Sequence, residues 1–234
     1  MKKRTKITLW SILFVIVFTV SALIRVNLLG SAPMRLMQVK WDDTVGTIYN
    51  DLNYENDYGH KYDLYVPANL DIGNAQQLIL FIHGGSFNSG AKEDGEVWCK
   101  YYASKGYIAA SLDYSLQTVQ EDASLVRMNT EIKECVNAIN EKCKELGYTL
   151  GMATCGVSAG GTLAMNYAYT CAETSVVPVK FVFQLAAPAD FEPSDWDILK
   201  KVNKLDTDAE FLSMMTGVNI RKLLKAANMR SMSI

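Results

Sequence analysis

The run CGVSAGG, Cys155 to Gly161, sets a serine between glycines in the pattern G-x-S-x-G. A serine hydroxyl is a weak nucleophile until a neighbouring base takes its proton. Alone the pattern says little, since at ordinary Gly and Ser frequencies about one chain in ten of this length carries it by chance. Its surroundings say more. A short apolar run precedes Ser158 and a helical pattern follows it, the place where a sharp turn lifts a serine Oγ above a sheet. Gly156 and Gly160 suit that turn because a Cβ at either position crowds it, and Gly161 lets the helix pack close to its neighbours. The plainer reading is a helix N-cap serine in a glycine-rich turn.

A second run, HGGSF (His83 to Phe87), lies 75 residues earlier and also follows an apolar stretch. Attack on a carbonyl builds negative charge on its oxygen, and backbone N–H groups aimed at that oxygen stabilise it. Gly84 and Gly85 can supply two such donors and Ala159, just after the serine, a third. A simple Gly-Gly turn is the alternative. The chain has only two histidines, His60 and His83, both before the serine. His60 falls in the turn-like stretch NDYGHK, and His83 borders the glycine loop.

The elements that position these residues follow from periodicity. Val45–Tyr54 and Tyr62–Val66 are rich in β-formers. Gln77–Ile82, Tyr107–Leu112, Met152–Gly156 and Val179–Ala186 are short apolar runs typical of strands buried on both faces. Asp94–Lys105 reads as a helix closed by Gly106. The longest helix carries Leu125, Met128, Ile132, Cys135, Ile139, Cys143 and Leu146 as one apolar stripe, with Ser124 as N-cap and Gly147 as stop. Ala159–Cys171 is a further helix, and residues 197–230 read as helical throughout. Strands alternating with helices predict an α/β fold, a mostly parallel sheet with helices on both faces.

YDLYVP, ILFIHGGSF, SLDYSL and CGVSAGG occur in an order and spacing that resembles the α/β-hydrolases of the carboxylesterase and hormone-sensitive-lipase-like group, including bacterial acetyl- and feruloyl-esterase relatives. The resemblance runs from about residue 45 to 190. It implies Ser158 as nucleophile, Gly84, Gly85 and Ala159 as the oxyanion hole, His83 in a structural role, and small acyl esters as substrates without metal or cofactor. In that family the catalytic acid and histidine follow the serine, on loops after a seventh and an eighth strand. Only one strand pattern follows Ser158 here, so the expectation is a sheet lacking the last two strands, a C-terminally truncated domain and an inactive chain. Asp190 ends the last strand, while Asp195, Asp197, Asp206 and Asp208 read as solvated helix-cap charges. A serine peptidase of the same fold and a non-catalytic hydrolase-like binding protein are the other readings.

The net charge of −2 conceals an uneven distribution. Lys2, Lys3, Arg4 and Lys6 form a basic tip over residues 1–6, leaving 19 bases against 25 acids in the rest. An acidic body without a basic block argues against a nucleic-acid partner. Ile7–Ile24 is an uncharged stretch of 18 residues, about 27 Å long as a helix, which predicts a single-pass transmembrane anchor with the body outside the cytoplasm. A cleaved signal segment is the competing reading, weakened by Pro33 after the Gly30-Ser31-Ala32 site and by the depth of Val20-Ser21-Ala22 inside the apolar run. Residues 25–43 read as a linker and 44–234 as the hydrolase domain. The five cysteines show neither C-x-x-C nor metal-ligand spacing and read as small buried hydrophobes. Phe191, Trp196, Phe211, Met214 and Met215 are lid or core-packing positions, with core packing the stronger reading.

Overall fold

The computed structural model describes residues 13–22, 24, 36–118, 123–189, 192, 196–220 and 222. The chain divides into two units, Met1–Lys40 and Trp41–Ile234. In the first, residues 13–22 and 24 are helical and exposed. Residues 7–12 and 23 of the expected anchor lie outside the described residues. Among those described, no helix is long and apolar enough to cross a membrane.

The second unit is built on six strands, β1 (Gly46–Asn53), β2 (Lys61–Pro67), β3 (Ala75–Ile82), β4 (Ile108–Leu112), β5 (Thr149–Val157) and β6 (Val179–Leu185). They form one sheet in the order β1-β2-β4-β3-β5-β6. β1 and β2 join in antiparallel fashion and the other four run parallel, so the expected mostly parallel sheet is present. All six strand patterns of the sequence became strands. Leu78 to Ile82 and the whole of β4 are buried, as their uninterrupted apolar runs require.

Helices cover both faces. α1 (Glu96–Ala103) packs Cys99 and Ala103 against Ile79, Phe81 and Ala109 on one side. On the other, α2 (Leu125–Glu145) and α3 (Ala159–Thr170) meet Leu78, Leu80 and Ile82. Successive β3 side chains thus feed opposite cores, each buried aliphatic contributing about 1.5–3 kcal/mol. The predicted α2 stripe is buried from Leu125 to Cys143, with Leu146 partly so. Ser124 accepts a hydrogen bond from the Arg127 amide at 3.2 Å, and Gly147 follows the helix at φ 88°.

Two boundaries and the burial of one cysteine differ from expectation. The helix expected over Asp94–Lys105 begins as a 3-10 turn, Lys92–Gly95, whose Gly95 lies so close to Ser111 that a Cβ would stand 2.2 Å from its Oγ. Residues 197–230 are not one helix. α4 (Trp196–Val202) and α5 (Asp208–Thr216) are separated where Lys204 takes φ 55° and Thr207 opens a capping box with Glu210. Asp206 and Asp208 flank that cap, and Lys200 pairs with both Asp197 and Asp208. Finally, Cys171 is half-exposed, whereas Cys99, Cys135, Cys143 and Cys155 are buried as read, all five being free thiols.

Candidate active site

β3 and β5 pair in register from Ala75 with Thr149 to Ile82 with Gly156. The residues following them, His83–Phe87 and Ser158, therefore emerge side by side at the carboxyl end of the sheet. The chain order reverses at this point, with β4 on one side of β3 and β5 on the other. Open α/β sheets bind their ligands at such a crevice. The 75 residues between the two motifs are bridged by eight backbone pairs.

Ser158 occupies φ 52° and ψ −125°, a backbone region that favours glycine. Its amide donates to the Leu185 carbonyl at 2.9 Å, and its carbonyl accepts from Gly161 and Thr162. Its hydroxyl makes no capping bond to α3, which it precedes. Ser158 is thus the N-cap residue of α3 by position, but capping does not account for its hydroxyl. Close packing accounts for the flanking glycines. A Cβ on Gly156 would lie 2.4 Å from the Gly160 carbonyl carbon, and one on Gly160 would lie 2.1 Å from the Ile82 oxygen. One on Gly161 would lie 2.7 Å from the Ala187 Cβ, so this residue fits α3 against the loop after β6.

Gly84 runs directly beside the serine turn, where a Cβ would stand 2.7 Å from the Val157 oxygen and 3.5 Å from the Ser158 Cβ. Gly85 adopts φ 111°, and Ser86 and Phe87 also have positive φ. Among the described residues, the loop and cap hydrogen bonds include none donated by the amides of Gly84, Gly85 or Ala159. Three backbone donors thus remain around the half-buried Ser158, at the N-terminus of α3 where negative charge is favoured.

His83 is 1% exposed. Its Nδ1 lies 2.7 Å from the Gly84 oxygen, and its ring stacks on Tyr114 with centroids 4.2 Å apart. Burial holds its pKa below the ordinary imidazole value, against the raising influence of the Gly84 carbonyl and nearby acids. A neutral ring donating from Nδ1 holds the glycine loop in shape. His60 packs by Tyr58 and lies 3.7 Å from Glu131 at the β1–β2 turn. Asp190, Phe191 and Asp195 lie outside the described residues. Phe211 and Met214 are buried, Met215 packs on the core, and Trp196 packs at a tilt against Phe211, so these four are packing residues.

Sequence reasoning missed two supports of the loop. Tyr114 donates from its hydroxyl to the His83 carbonyl at 2.8 Å while stacking on the same residue. Gly90, at φ 104°, leaves room for the imidazole, since a Cβ there would stand 2.3 Å from Nδ1. The signal for Tyr114 was its place just beyond an apolar strand; nothing local marks Gly90 as the neighbour of a ring seven residues away.

A family model described as BD-FAE matches residues 62–223. Over 146 residues the chain is 30% identical to the non-reducing polyketide synthase Preu6 of Preussia isomera, covering 58% of this chain and 6% of that protein. It is 25% identical over 144 residues to the kynurenine formamidase of Salmo salar, covering 60% of this chain and 46% of that one. Among solved structures, the fold resembles esterase B from Lactobacillus rhamnosis, inhibited by a tributyrin phosphonate, with a TM-score of 0.59 and 22% identity. That likeness covers 80% of this chain and 61% of the esterase. The chain spans less than half the length of either curated relative. With the family model covering more than half of its residues, and a sheet order and serine turn of the matching kind, the chain belongs to the BD-FAE family, a hydrolase family of the α/β-hydrolase fold.

Proposed function

We propose that Ser158 is the nucleophile of a carboxylic-ester hydrolase site acting on small acyl esters, with Gly84, Gly85 and Ala159 as its oxyanion donors. The observation that carries this reading is the serine itself. It is held in a backbone region costing about 1–3 kcal/mol, with a hydroxyl that caps nothing, beside a glycine loop whose amides bond to no loop carbonyl among the described residues. Strain kept without structural return points to chemistry. Attack by Oγ forms a tetrahedral oxyanion for those amides to hold; its collapse leaves an acyl-enzyme that water then cleaves. The base is the missing part. Both histidines of the 234 residues serve elsewhere, His83 bracing the glycine loop and His60 beside Glu131. We therefore propose that these residues alone are catalytically inert, retaining at most the roughly 10³–10⁴-fold over water that an oxyanion hole and binding provide. That inventory also favours a second reading, a hydrolase-like binding protein.

The test is labelling by a fluorophosphonate probe, mapped by peptide mass, with and without added imidazole as a surrogate base. The expected result is no adduct without imidazole, an adduct at Ser158 with it, and none in Ser158→Ala. Failure to label Ser158 in imidazole refutes the nucleophile and leaves the binding reading. Stoichiometric labelling without imidazole that disappears in His83→Ala makes His83 the base. We further propose that Ile7–Ile24 anchors the chain with its hydrolase domain outside the cytoplasm, which the length of the uncharged stretch and the basic tip before it support.

A further inference from the structure

A cavity of about 670 Å³ lies between the entry to α2 and the segment that contains α5. Gln117, Ser124 and Arg127 line one wall, and Lys204, Glu210 and Ser213 line the other. Its size is that of a small-molecule site. It is tied to the glycine loop through Gln117, and the chain just before its far wall is tied to Asn88. The Gln117 amide donates to the Phe87 carbonyl at 2.7 Å, and Asn88 donates to the Val202 carbonyl at 3.0 Å.

The lining is polar, and its three charges are unequal in availability. Glu210 is committed to the protein, accepting from the amides of Asp206 at 2.8 Å and Thr207 at 3.0 Å. Lys204 is exposed. Arg127 is firmly oriented. Its guanidinium lies over the Tyr58 ring at 4.4 Å, and its Nε is 3.5 Å from Glu131. Glu131 is itself held by the Ser115 amide at 2.6 Å and hydroxyl at 2.5 Å. The remaining partner of Arg127 is Asp57, 3.0 Å from Nη2 with a side chain 87% exposed. Such a solvated pair contributes about 0–1 kcal/mol, so Asp57 competes only weakly for the guanidinium.

We propose that this cavity is a subsite for a carboxylate on the substrate, held by Arg127 and Lys204, so that the esters favoured here are half-esters carrying a free acid group. A guanidinium held in place by Tyr58 and Glu131 is suited to a carboxylate, and Lys204 adds a point charge from the facing wall. A lining with hydroxyls and amides instead of an apolar sleeve disfavours long acyl chains. The assignment deepens the ester-hydrolase reading and rests on it for the identity of the occupant, but not for the binding.

The test is a titration of the purified full chain, solubilised in mild detergent, with monomethyl succinate, following backbone amide resonances. Methyl butyrate serves as the neutral counterpart. The expected result is saturable shifts at Gln117 and Arg127 that extend to Gly84 and Ser158, with none from methyl butyrate. Lys204→Gln and Arg127→Gln should each weaken binding about tenfold, the scale of one charge-assisted hydrogen bond. Asp57→Asn, an exposed change, should tighten it by about two- to fivefold, which no damage to folding can mimic. Equal binding of both esters, or no change in Lys204→Gln and Asp57→Asn, overturns the proposal. Shifts confined to the cavity, leaving Gly84 and Ser158 unmoved, assign the carboxylate to a separate ligand and overturn its place on the substrate. Because no turnover is read, these outcomes are independent of whether Ser158 can be acylated.

Discussion

Replacing Ser158 separates what its backbone costs from what its hydroxyl provides. At φ 52° and ψ −125° the residue sits where glycine is at ease and other residues are strained by about 1–3 kcal/mol. Ser158→Gly relieves that strain but gives the unfolded chain extra freedom, worth roughly 0.5–1 kcal/mol. The balance is a stabilisation of about 0–2.5 kcal/mol. Ser158→Ala keeps the strain and removes a hydroxyl that caps nothing, so its effect should stay within about 0.5 kcal/mol. The assay is urea unfolding of the full chain in mild detergent, read by the fluorescence of its four tryptophans. The ordering, glycine above alanine and serine, is the prediction. A glycine variant no more stable than the alanine variant refutes the strain argument. A loss above about 1 kcal/mol in Ser158→Ala shows that the hydroxyl has a structural partner, and the case for a chemical role falls with it.

Three further outcomes are expected. β6 is an edge of the sheet among the described residues, with Phe181 62% and Leu185 55% exposed, so residues 41–234 expressed alone should aggregate; light scattering checks this, and a monodisperse wild-type monomer no more soluble after Phe181→Lys and Leu185→Lys contradicts it. The chain should stay in the membrane fraction through an alkaline wash with its N-terminus intact, whereas a mature protein beginning near Pro33 would identify a cleaved signal. Because burial keeps His83 neutral, the unfolded state takes up its proton first as pH falls through about 6.5; stability is then full above that value and declines below it by up to about 1.4 kcal/mol per unit. Urea midpoints between pH 5 and 8 should show this slope, and His83→Gln should flatten it.

What could be read from the chain in advance was what local pattern determines. The buried strands announced themselves as apolar runs, α2 as a stripe of seven residues, and the serine turn as glycines at fixed offsets. What escaped depends on contacts distant in sequence. Lys92 is buried because Asp51, Asp63 and Glu93 surround its ammonium at 2.8–3.1 Å, and their hydrogen bonds outweigh the burial that opposes its charge. Asp51 reaches that place through an irregularity in β1, where it takes φ 54°. No periodicity encodes such a group. The break between α4 and α5 was legible in principle, since Thr207 and Glu210 form a capping box, but the helical propensity around it masked the signal.

The pairing of β3 with β5 also sets a schedule. β3 acquires β4 on one side after a short crossover, but its other edge waits for residues 149–156. At about 5–20 residues per second, synthesis leaves roughly 4–15 s between His83 leaving the ribosome and Ser158 following it. Throughout that interval a largely apolar, central strand of the sheet presents an open backbone edge in a nascent chain. The glycine loop has Tyr114 against His83 by then, but its side facing the serine turn stays open until Val157 and Ser158 arrive beside it. The site is therefore assembled in one late step, and the segment most exposed to misassociation during synthesis is the strand that carries half of it.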